Sequence, residues 1–108
     1  MENVYKALDD VINVIVNSED YKKCITYKEQ MNENKELVEL INKVKELQKK
    51  YIRSGYDKEI KEELDSVEEE INNIPIYNEY NSSLIKVNEM IDYVKESFND
   101  YFNKLLNI

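Results

Sequence analysis

A chain of 108 residues with 1 Gly, 1 Pro and no Trp has few places to turn. That leaves little room for β-hairpins and fits one all-α domain over residues 1–108. The formal net charge is −8, from 23 acids and 15 bases with no His. It repels phosphate backbones and anionic lipid, which argues against a direct nucleic-acid binder. The longest unbroken apolar runs, such as Val14-Ile15-Val16, are too short for membrane insertion. Together with a lone Cys24, they lead to the expectation of a reducing, cytoplasmic home.

The first predicted helix runs from about Asn3 to Val16. Val4, Leu8, Val11, Ile12 and Ile15 share one face, and Val14 and Val16 widen it enough to meet two neighbours. Ser18 is the predicted N-cap of a second helix, with Glu19 and Asp20 in its first turn. That helix carries a narrower stripe through Tyr21, Cys24, Ile25 and Met31. Asn34 is the next predicted cap. It opens a third helix over Lys35–Arg53 whose apolar side holds Leu37, Leu40, Ile41, Val44, Leu47 and Tyr51. Gly55 ends it, because glycine enters the left-handed region without a steric penalty.

Asp57 caps a fourth helix, in which Ile60, Leu64, Val67, Ile71 and Ile74 recur at helical spacing until Pro75 stops it. The short connection between the third and fourth helices predicts an antiparallel hairpin. Residues 35–53 are net +3 and residues 57–70 net −6, so the two helices attract. Each exposed ion pair adds only ~0–1 kcal/mol. Burial adds ~1.5–3 kcal/mol per large apolar side chain, so the seam decides the pairing.

The fifth helix, about Ile76 to Leu106, carries the longest pattern. Tyr77, Tyr80, Leu84, Val87, Ile91, Val94, Phe98, Tyr101 and Leu105 follow one another in alternating steps of three and four, a heptad-like stripe. At ~1.5 Å per residue such a helix outruns the hairpin. Its apolar far end, with Val94, Phe98, Tyr101, Phe102 and Leu105, must then meet the first helix or a second chain. Val94, Phe98, Tyr101 and Leu105 are therefore the candidate self-association residues, and a homo-oligomer, in the first instance a dimer, is expected. The predicted architecture is all-α, with about five helices: an antiparallel helical hairpin plus a long C-terminal helix.

No catalytic, cofactor or metal-binding residue is expected. Without His, the usual general base, triad member and metal ligand are missing. The acids from Glu62 to Glu70 lack the Glu-x-x-His pattern of a di-metal bundle and the central Gly of a calcium loop, and they suit a solvated helix face. Cys24 sits at an apolar helical position, where packing explains it. A reactive thiol would draw on Lys22, Lys23 and Lys28. Two surfaces are candidates for a protein partner. Ile76, Tyr77 and Tyr80 surround a rigid proline elbow and offer anchoring side chains. Glu68, Glu69 and Glu70 offer charge that steers association. The plainer reading of the elbow is that it only closes the bundle.

The segments Ser18-Glu19-Asp20-Tyr21-Lys22-Lys23, Asn34-Lys35-Glu36-Leu37 and Leu47-Gln48 resemble the first half of the YlbF/YmcA domain family. Ile74-Pro75-Ile76-Tyr77-Asn78-Glu79-Tyr80, with the long helix behind it, resembles its second half. The resemblance covers nearly the whole chain through helix-packing motifs. It implies a small all-helical bacterial regulator of the competence and biofilm type that joins other proteins, including a complex tied to messenger-RNA processing. That is a non-enzymatic adaptor with regulatory protein partners. Some relatives carry further cysteines linked to iron–sulfur binding. With Cys24 alone, this chain departs from them and is nearer the shorter, cysteine-poor branch. The second reading is a self-assembling structural protein or an antitoxin-like small partner.

Overall fold

The computed structural model describes residues 1–107 as five α-helices: α1 (Glu2–Val16), α2 (Glu19–Glu33), α3 (Lys35–Arg53), α4 (Lys58–Asn72) and α5 (Pro75–Leu106). No strand occurs among the described residues. The fold is all-α, as the spacing of apolar residues predicts.

Each expected cap forms. The Ser18 hydroxyl accepts a hydrogen bond from the Tyr21 amide at 3.2 Å and donates to the Ile15 carbonyl at 2.6 Å, so one side chain serves the end of α1 and the start of α2. Asn34 Oδ1 accepts from the Leu37 amide at 3.0 Å. Asp57 Oδ1 accepts from the amides of Glu59 at 2.8 Å and Ile60 at 3.4 Å. These bonds satisfy amides that the first turn of a helix otherwise leaves unpaired. Pro75 opens α5, where its missing N–H removes only a donor the helix could not use.

The turn from α3 to α4 is a Schellman closure. The Tyr56 amide donates to the Tyr51 carbonyl at 2.9 Å, and the Gly55 amide to the Ile52 carbonyl at 3.2 Å. Gly55 has φ 74°, as expected, but Tyr56 also lies in the left-handed region at φ 70°. The compensating contact is between rings. Tyr51 and Tyr56 meet edge to face with centroids 5.3 Å apart. Ser54 then bridges the corner: its hydroxyl donates to the Tyr51 carbonyl at 2.9 Å and accepts from the Asp57 amide at 3.1 Å.

The chain forms two compact units. One is Thr26–Asn81, and the other is Met1–Ile25 together with the chain from Ser82 onward. In the first, α3 packs on α4 around Leu37, Leu47, Leu64, Val67 and Ile71, all buried, with Leu37 fully so. Met31 of α2 and Ile74, Ile76 and Tyr77 at the elbow pack against this core. The ion pair described in this hairpin, Lys61 to Asp65 at 2.7 Å, lies within α4 rather than across the seam. Apolar burial therefore holds the two helices together, and the opposite net charges act only at longer range.

The second unit is open. Cys24, Ser83 and Val87 are buried there, yet no residue of α1 is. The apolar face expected on α1 forms and is only partly covered: Val11 and Ile15 are half-buried, while Val4 stands at 60%, Leu8 at 52% and Ile12 at 47% of full exposure.

Candidate interaction surfaces

On the hairpin unit, an open groove of about 430 Å³ runs between α3, α4 and the start of α5. Ile41, Val44 and Ile71 give it an apolar floor. Lys45, Gln48, Glu68, Asn72 and Tyr77 supply both charges, two amides and a phenol. Such a lining suits a segment of protein with an apolar anchor and polar flanks. The groove joins two candidates that the sequence kept separate, since Glu68 and Tyr77 line the same cleft.

The other expected partner residues divide. Glu68 is half-buried, whereas Glu69 and Glu70 are exposed and outside the groove lining. The acidic run is thus one groove residue with two solvated neighbours. Ile76 and Tyr77 are half-buried against the hairpin core, which is the closing role. Tyr77 also lines the groove. Tyr80 is half-buried and outside the groove lining. The elbow is pinned by the Asn78 side-chain amide, which donates to the Asn72 carbonyl at 2.7 Å. Lys45 and Asn72 were not singled out from sequence, and Gln48 stood there only beside Leu47 as a helix-packing motif. Each is an ordinary polar residue next to an apolar one, and only the register of α3 against α4 puts them round one cleft.

In the open unit, Val94 is half-buried, and Phe98, Tyr101 and Leu105 are exposed. Two grooves flank this stripe. One is lined by Tyr93, Val94, Ser97 and Tyr101, the other by Val4, Ala7, Leu8 and Lys95. Both share Val11, Phe98 and Phe102. The Phe98 and Phe102 rings stack with centroids 6.0 Å apart and planes 16° from parallel. Phe102 and the α1 residues belong to this surface, in keeping with the expectation that the apolar far end of the fifth helix meets the first helix or a second chain. The signal for the α1 residues was their apolar row at helical spacing.

Lys61 donates a hydrogen bond to Asp65, and that bond raises the lysine above its ordinary pKa. Among the described residues, no group of three or more His, Cys, Asp or Glu is placed to hold a metal ion. Among the same residues, no helix is long and apolar enough to cross a membrane.

Residues 4–101 match the family described as "Control of competence regulator ComK, YlbF/YmcA". The chain belongs to the YlbF/YmcA family. The matched span takes in the whole hairpin groove and both Phe98 and Tyr101. The family is linked to control of the competence regulator ComK, which is a regulatory role. No curated protein matches the chain.

Proposed function

We propose that this chain is a non-enzymatic regulatory adaptor. It works in the cytoplasm by binding other proteins, in the control of competence and in the biofilm or messenger-RNA processing roles that the family resemblance implies. The observation that carries this reading is the hairpin groove, where the apolar floor, Tyr77 and two opposite charges present a protein-binding chemistry. Tyr77 contributes affinity, and Glu68, with Glu69 and Glu70 beside it, steers approach. Ile76 and Tyr80 support the elbow that fixes Tyr77. The family's regulatory role favours this reading over the alternative of a purely self-assembling or antitoxin-like protein.

A photo-crosslinking residue in place of Gln48, an exposed position on the groove wall, tests the proposal in the producing cell. The expected result is a discrete adduct with a different protein, lost in Glu68→Lys while the fold is retained. Adducts with further copies of this chain alone would reject the adaptor in favour of self-assembly.

A further inference from the structure

We infer that the guest of the hairpin groove is an amphipathic α-helix of about three turns from a different protein, apolar along one face, acidic on the flank that meets α3 and basic on the flank that meets α4. The inference rests on the adaptor reading of this site and adds the chemistry of what fills it.

Three observations carry it. The first is shape. Ile41, Lys45, Gln48 and Ile52 follow one another in steps of four, three and four, which sets them in one row along α3. Lys61, Asp65, Glu68 and Asn72 form a row of the same spacing along α4. The first three residues of one row and the last two of the other line the groove, over a floor that includes the half-buried Val44 and the buried Ile71. Ile52, 65% exposed, carries the α3 row one turn further as an apolar side chain in water. From Ile41 to Ile52 the row spans about 16 Å, the length of three helical turns. A channel between two packed helices is where a third lays its own ridge of side chains.

The second is charge. Lys45 on one wall and Glu68 on the other make no ion pair with each other; the pair described in this hairpin is Lys61 to Asp65. Residues 35–53 are net +3 and residues 57–70 net −6, so a guest in the channel meets opposite signs on its two sides. A helix answers both at once, because side chains three and four apart stay on one flank. The same asymmetry fixes the direction of the guest, since turning it end for end exchanges its flanks.

The third is that the groove suits no other common mode of peptide recognition. An added strand needs a sheet edge, and no strand occurs among the described residues. A proline-rich segment needs a groove lined by several aromatics, whereas Tyr77 is the aromatic residue of this lining. A phosphorylated segment needs an arginine cluster, and the cation here is Lys45.

The probes are synthetic stapled helices of about 15 residues with leucines along one face, titrated with the full chain by fluorescence anisotropy. One has glutamates on one flank and lysines on the other, a second has glutamates on both, and a third has lysines on both. The mixed peptide should bind with a Kd of roughly 10–100 μM, and a scrambled peptide without an apolar face at least about 10-fold more weakly. Glu68→Lys should weaken the mixed peptide by about 5–10-fold and tighten the all-glutamate one. Lys45→Glu should weaken the mixed peptide and tighten the all-lysine one. A lost fold would weaken every peptide, so opposite shifts within one variant read the flank itself. Photo-crosslinkers at Gln48 and Ile52 should both reach the mixed peptide, and one at Ile85, exposed and outside the groove, should not. A mixed peptide that fails to bind, binds equally well when scrambled, or crosslinks from Tyr101 instead of Gln48 would overturn the helical guest. If it is overturned while Gln48 still captures a different protein in the cell, the adaptor reading stands. If the peptides behave as expected and the cell yields only further copies of this chain, the adaptor reading falls and the chemistry of the groove stands.

Discussion

Tyr51 and Tyr56 meet edge to face, 5.3 Å between ring centroids, across the Schellman turn that joins α3 to α4. Tyr56 holds a left-handed backbone, which costs an L-residue roughly 1–2 kcal/mol. An aromatic pair returns about 0.5–1.5 kcal/mol. Two opposed effects of similar size act at one residue. Tyr56→Gly should therefore change unfolding free energy by less than about 1 kcal/mol in urea titration. Tyr51→Ala keeps the strain and loses the ring, and should be the more destabilising of the two. Equal and large losses in both would show that the ring contact, not the backbone, dominates the turn.

Gly55→Ala isolates the backbone effect. A Cβ built there meets nothing within 4 Å, so only the φ of 74° opposes the change. A loss of about 1–2 kcal/mol is expected by chemical denaturation. A neutral result would mean that the turn relaxes out of the left-handed region at little cost.

Burial sets the ranking of core substitutions. Leu37 is fully buried in the hairpin core, and Leu37→Ala should cost ~2–5 kcal/mol through lost contact and the cavity left behind. Ile52, on the same helix and 65% exposed, should lose less than ~0.5 kcal/mol on the same change. Asn34→Ala removes the acceptor for the Leu37 amide and should cost ~0.5–2 kcal/mol, whereas Asn34→Asp keeps it. Thermal melts of the four variants give the order directly, and an Ile52 variant as damaged as Leu37→Ala would contradict the core described above.

The hairpin groove makes a sharper claim about charge than the acidic run does. Reversing Glu68, Glu69 and Glu70 together should slow association with a captured partner and flatten its salt dependence without unfolding the hairpin. Glu68→Lys alone should account for most of any change in dissociation rate, because only Glu68 lines the groove. Stopped-flow or surface-binding kinetics at several salt concentrations separate the two. An unchanged association rate in the triple variant would remove the steering role.

Much of the fold was legible because it is local. Ser18, Asn34 and Asp57 cap because their side chains reach an amide two or three residues on. Pro75 starts a helix because of its own ring, and the seam residues Leu37, Leu47, Leu64, Val67 and Ile71 announce themselves by spacing. Such properties depend on residues a few positions apart, so periodicity and side-chain chemistry suffice to find them. The left-handed Tyr56 was not legible, since a bulky residue tolerates that backbone only where a partner such as Tyr51 is already in place. Nor was the company that Glu68 and Tyr77 keep with Lys45 and Asn72. That depends on the register of one helix against another, which the summed packing of the seam decides. The apolar pattern of α1 and α5 was plain in the sequence, but its exposure was not: spacing tells which side chains share a face, and only the tertiary structure tells whether anything covers it.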